Sequence, residues 1–151
     1  MPEKGGRTGN CGTLNLLLSP ASVWEPFKSH RCFVMEADQT AVNPRDLMAM
    51  AMLPEGKTLP GLVPADVWTK VQARLGSQVP APVLGRSQPW FATLLYLQSI
   101  VPKGEPMDGA FLTRARAQKK RLEFLEDWRE AISAFASVTG PDDLTDIARR
   151  R

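Results

Sequence analysis

Apolar and polar positions along the chain alternate between short apolar runs of strand length and longer stretches at helical spacing, the order expected of an α/β protein. Thr13 to Leu18 (TLNLLL) is such a short run, and Ser19-Pro20 behind it supplies an N-cap and a proline at the first helical position. The helix that follows carries Val23, Trp24 and Phe27 and is expected to bend or end near Pro26. Arg31 to Asp38 (RCFVMEAD) is a second apolar run closing on two carboxylates, Glu36 and Asp38. Strand, helix and strand in that order predict a parallel βαβ unit. Asn43-Pro44 repeats the cap and proline ahead of DLMAMAML, and PEGKTLPGL is a turn-rich break.

Beyond that break, a helix beginning near Pro64 places Val67, Val71 and Leu75 along one face with Trp68 beside them. Gln78 to Pro89 reads as an extended, proline-bearing connector. PWFATLLYLQSIV is apolar on nearly all sides, which predicts a helix buried in a core or at an interface. Pro106 to Lys120 has helical spacing, with Phe111, Leu112 and Ala115 inward and Arg114, Lys119 and Lys120 outward. Arg121 to Glu126 (RLEFLE) alternates by two and predicts a third strand, and two helices follow, parted at Gly140-Pro141. The expected fold is a helix-rich α/β domain over residues 1–151, with a small, mostly parallel central sheet of about three strands flanked by helices. Residues 1–10 read as a flexible N-terminus.

Composition narrows the classes of function. The chain has 151 residues, 43% hydrophobic and 23% charged, enough for a real core. Its net charge of +3 is mild, and the excess sits in Arg114 to Arg121 and in Arg149 to Arg151, which reads as a solvated basic face. Nothing aromatic is interleaved with the first of these runs, which argues against single-stranded nucleic acid as the partner. Cys11 and Cys32 have neither zinc-finger nor redox spacing and are expected to be reduced and buried. The first residues lack the apolar core of a signal peptide, and no run approaches the roughly 18 apolar residues of a membrane helix, so a cytoplasmic protein without membrane insertion is expected.

Polar groups gather at strand ends: Asn15, Glu36 with Asp38, and Glu126 with Asp127. In an open parallel sheet the carboxyl ends of strands form the crevice where ligands bind, and Asp108 at a helix start could join them. The competing reading is that these carboxylates meet water as the chain leaves the core, or that Asp38 and Asp127 cap the next helices. There is no glycine-rich phosphate loop, nucleophile elbow or zinc-binding histidine pair. The single histidine, His30, reads as a surface residue.

Taken in order, Gly12-Thr13-Leu14-Asn15, Val34-Met35-Glu36-Ala37-Asp38, Leu53-Pro54-Glu55-Gly56-Lys57-Thr58-Leu59, Pro89-Trp90, the helix-start Asp108 and Leu125-Glu126 before a helix resemble the TraB/GumN family over almost the whole chain. That family also contains the Tiki metalloproteases and plasmid-encoded pheromone-shutdown proteins. The resemblance implies an α/β fold and, in active members, a metal-supported hydrolytic site built from Gly-x-x-His histidines and acidic residues. Carried over, Asn15 stands at the first histidine, Glu36 at the acid of the second strand, Asp108 at the helix-start aspartate and Glu126 at the glutamate after the third strand. Phe124 stands where the family has glycine, and the resemblance, which reaches no second Gly-x-x-His motif within these 151 residues, is to roughly the N-terminal half of a family domain.

An amide has no usable basicity near neutral pH and is a poor ligand for a transition metal, so Asn15 cannot replace an imidazole. The expectation is therefore a catalytically degenerate protein with no catalytic residue and no cofactor, a vestigial site at Asn15, Glu36, Asp108 and Glu126, and a protein partner or second copy as its target. Trp90, Leu94 and Leu97 on one helix, with Trp128 and Phe135 on another, are the residues expected to meet that partner. An inhibitor or modulator of plasmid conjugation is the concrete form that the resemblance suggests. The alternative is a surviving metal-dependent hydrolase or protease, in which Glu36, Asp108 and Glu126 hold magnesium, manganese or calcium through oxygen. Nucleic-acid binding through the basic residues stands outside both.

Overall fold

Two four-residue strands, β1 (Cys32–Met35) and β2 (Arg121–Phe124), pair in parallel, with Cys32 opposite Arg121 and Met35 opposite Phe124. They belong to a computed structural model that describes residues 20–101 and 107–150. The expected strand over Thr13 to Leu18, and with it Asn15 and Cys11, lies outside the described residues, so two of about three expected strands are in view. Eight helices accompany them among the described residues. None is long and apolar enough to cross a membrane.

The described residues divide into two compact units, the first over residues 20–37 and 107–125, the second over residues 38–101 and 126–150. In the first, α1 (Pro20–Ser29) and α6 (Met107–Ala117) accompany the strands. Pro26, near which the helix is expected to bend or end, lies inside α1, which ends at Ser29. The proline opens the final turn, and its carbonyl still accepts from His30 N at 3.3 Å and from Ser29 Oγ at 3.0 Å. Alternation by two turns Phe33 and Leu122 to the same side, where they pack against Phe27, Phe111 and Ala115. Trp24, Phe27, Phe33 and Phe111 form a ring cluster with centroids 4.5 to 5.6 Å apart.

The second unit holds α2 (Pro44–Ala51), α3 (Ala65–Leu75), α4 (Ala81–Gly85), α5 (Pro89–Ile100), α7 (Trp128–Val138) and α8 (Pro141–Arg150). Its start signals work as expected: Asn43 Oδ1 accepts from Arg45 N at 2.9 Å, and Pro44 takes the first turn of α2. Gly56, at φ 79°, sits in the turn closed by Lys57 N on Pro54 O at 3.1 Å, a conformation that favours glycine. The core forms where Val67, Val71 and Leu75 of α3 meet Ala92 and Tyr96 of α5 and Leu144 and Ala148 of α8. One correction falls on Gln78 to Pro89, expected to be extended, where α4 forms instead. Pro80 at its cap and Pro82 in its first turn need no helical N–H there, and burying Leu84 completely offsets the ordering cost.

The ends of α3 and α8 are tied by ions. Arg149 Nε and Nη2 donate to Asp66 Oδ2 and Oδ1, each at 3.2 Å, and Lys70 Nζ donates to the Ala148 carbonyl at 3.1 Å. The Arg149 hydrogen bonds hold the Asp66 carboxyl below the ordinary carboxylate range, and the same pair raises Arg149. A depressed folded-state value means that the contribution to stability is complete above the unfolded aspartate value, near about pH 4, and is lost as pH falls through the folded one. Asp66→Asn is therefore expected to lower the melting temperature at pH 7, with the gap to the parent protein closing on acidification toward about pH 3. A gap that stays constant with pH would rule out this ionic contribution. Both side chains are exposed, so the effect is small.

Candidate functional site

A parallel ladder puts both strand exits at the same end, and there the backbone is pinned by Leu125 N, which donates to Met35 O at 3.0 Å and Glu36 O at 3.1 Å. Glu36 follows β1 with its side chain exposed. Asp108 lies in the first turn of α6, also exposed, where its charge suits the helix dipole. Glu126 is half-buried and opens the second unit's C-terminal segment. Among the described residues no group of three or more His, Cys, Asp and Glu side chains is placed to hold a metal ion.

The other two carboxylates have local work. Asp38 Oδ1 accepts from Thr40 N at 2.9 Å and Thr40 Oγ1 at 2.6 Å, capping a short 3-10 turn over Gln39–Ala41. Asp127 Oδ1 accepts from Arg129 N at 2.8 Å while Glu130 Oε2 accepts from Asp127 N at 3.1 Å, a capping box at the start of α7. Both thus behave as caps.

The imidazole stands elsewhere. His30 follows the C-terminal end of α1, ahead of β1, and its Nδ1 lies 2.6 Å from the Pro26 carbonyl and 3.3 Å from Ser29 Oγ. A carbonyl only accepts, so a hydrogen on Nδ1 makes that bond. Between His30 and Glu36 runs all of β1, about 13 Å of extended chain at about 3.3 Å per residue. His30 and Glu36 therefore lie at opposite ends of the strand and cannot share one metal. The His-plus-acid donor set implied for active relatives is not assembled by the residues described.

Of the residues expected to meet a partner, Trp90 is 4% exposed and Trp128 5%, both covered by the chain's own packing. Leu94 and Leu97 are half-buried, and Phe135 is exposed. Trp128 is the one buried residue of α7, although the helix also carries Ala131, Ile132, Phe135 and Val138. Val138 is 76% exposed. Beside this helix, Met50, Gln88 and Trp90 with Ser133, Ala136 and Ser137 line an open groove of about 420 Å³. No pattern along the chain announces the groove, because its walls come from α2, the start of α5 and α7. Cys32 is a free, half-buried thiol.

Helices around a short parallel strand pair place the protein in the α/β class. Within that class, the family model described as TraB/PrgY/gumN matches residues 15–149, and the chain belongs to this family. No curated protein and no solved structure matches it.

Proposed function

We propose that this chain is a catalytically silent member of the TraB/PrgY/gumN family that works by binding another protein. The observation that carries the reading is the separation of the single imidazole from Glu36: His30 is bonded to Pro26 at one end of β1, and Glu36 stands at the other. Asn15, at the family's histidine position in the resemblance, adds an amide where basicity would be needed. The exposed apolar residues Phe135 and Val138 on α7 supply surface of the kind a protein partner covers. The plasmid-encoded regulators of the resembled family make a modulator of conjugation one form of this function.

A metal that binds only the folded state raises its melting temperature. Thermal unfolding with magnesium, manganese, calcium or zinc is expected to give the same midpoint as unfolding without metal, in the parent protein and in Glu36→Ala alike. A rise with one metal that disappears in Glu36→Ala would overturn the reading in favour of a carboxylate-based hydrolase.

A further inference from the structure

We propose that the end of the β1–β2 sheet where both strands begin is a docking surface for an acidic protein segment, whose carboxylates are received by Arg31 and Lys119. The proposal rests on the binding function above and names the chemistry of the partner. The two basic runs concerned, Lys28 to Arg31 and Lys119 to Arg121, lie about 90 residues apart in sequence. Parallel register brings them together: Cys32 is opposite Arg121, and Arg121 N donates to the Arg31 carbonyl at 2.9 Å. Lys120 Nζ reaches across to the carbonyls of His30 and Lys28. The first run spans the C-terminal end of α1 and the second follows that of α6, so each lies at the negative end of a helix dipole.

Dipole complementation accounts for Lys120, which is spent on backbone oxygens and sits over the Phe27 ring at 4.7 Å. Arg31 and Lys119 differ from it: they are exposed and meet no carboxylate among the described residues. Lys119 adds a second observation. At φ 52° it is the one non-glycine residue with positive φ among the described residues. It holds the helix-ending position where glycine is favoured, with Lys120 N donating to Ala115 O at 2.9 Å. An exposed lysine kept at a conformational cost, two residues before the Arg121 N–H that bonds the Arg31 carbonyl, points to a use for that charge.

The pattern favours an acidic polypeptide over nucleic acid. Glu25 pairs with Lys28 at 2.8 Å and Glu123 with Arg121 at 2.7 Å, so carboxylates stand among the cations. A continuous phosphate backbone would run against them, whereas a peptide can space its acids to meet only the cations. Phe27 is buried and Trp24 lies beneath the Arg114 guanidinium, 3.8 Å from the ring centroid, so these rings offer no open stacking platform.

The test is fluorescence anisotropy of a fluorescein-labelled Glu-Ser repeat peptide of about a dozen residues titrated with the full chain at low salt. Binding that weakens with added salt is expected. Arg31→Glu with Lys119→Glu should weaken it at least about tenfold, and Arg31→Gln with Lys119→Gln by a smaller factor. Arg45→Glu with Lys57→Glu, which changes net charge equally at exposed positions in the second unit, should stay within about twofold of the parent. No peptide binding, an equal loss in the Arg45 and Lys57 variant, or tighter binding of single-stranded DNA of the same charge would overturn the proposal. The metal-dependent unfolding experiment addresses the absence of catalysis and leaves this titration independent.

Discussion

Leu144→Ala is expected to destabilise the second unit by about 2 to 5 kcal/mol, the range for truncating a fully buried leucine. Leu144 is 0% exposed and lies on α8 in the cluster with Val67, Val71 and Leu75 of α3 and Tyr96 of α5. Truncation removes dispersion contacts with both neighbouring helices and leaves a cavity that the surrounding side chains fill only in part. The ion pair between Arg149 and Asp66 holds the same helices, but it is exposed and contributes too little to keep α8 docked. Urea unfolding should show a lower midpoint with the slope unchanged. Val138→Ala, at a position 76% exposed, serves as the contrast and should shift the midpoint little. A loss below about 1 kcal/mol for Leu144→Ala would mean that α8 is not part of the cooperative core.

Phe111→Ala should have an effect of similar size on the first unit, about 3 to 5 kcal/mol. Phe111 is 4% exposed, and its ring lies 4.5 Å from Trp24, 5.2 Å from Phe27 and 5.6 Å from Phe33. It therefore joins α6 to α1 and to β1 through a single side chain. A parallel strand pair of this length has no independent stability in water and depends on the helices packed against it. Amide hydrogen exchange should accelerate in Cys32–Met35 and Arg121–Phe124 while Val67, Val71 and Leu75 of the second unit keep their protection. Phe111→Leu, which keeps most of the volume, should retain most of the protection in the strands. Acceleration spread equally over α3 would contradict separate cores.

Much of the local structure is legible in residue order. The Asn43-Pro44 signal starts α2, Gly140-Pro141 separates α7 from α8, and the spacing of Val67, Val71 and Leu75 marks the buried face of α3. These succeed because a cap, a proline and a helical period act within a few residues. The connector before α5 fails for the opposite reason. Prolines disfavour a helix interior but are accepted in a first turn, and whether α4 forms is decided by the burial of Leu84 in a core made by other segments. The tryptophans show the same limit, since an apolar face does not specify whether the chain itself or another protein covers it, and Trp90 and Trp128 are covered here by the chain.

The candidate site divides along the same line. Glu36 and Asp108 are visible as acids at element ends, and Glu126 as the acid just after the second described strand. A carboxylate after a strand is equally suited to capping and to binding, and only the hydrogen bonds distinguish Asp38 and Asp127, which cap, from the exposed Glu36 and Asp108. By itself the sequence determined the class, the family and most helix boundaries, because these rest on local patterning and motif order. The tertiary structure alone decided that His30 and Glu36 stand at opposite ends of β1 and that two distant basic runs share one edge, because strand pairing sets distances between segments that no local pattern encodes.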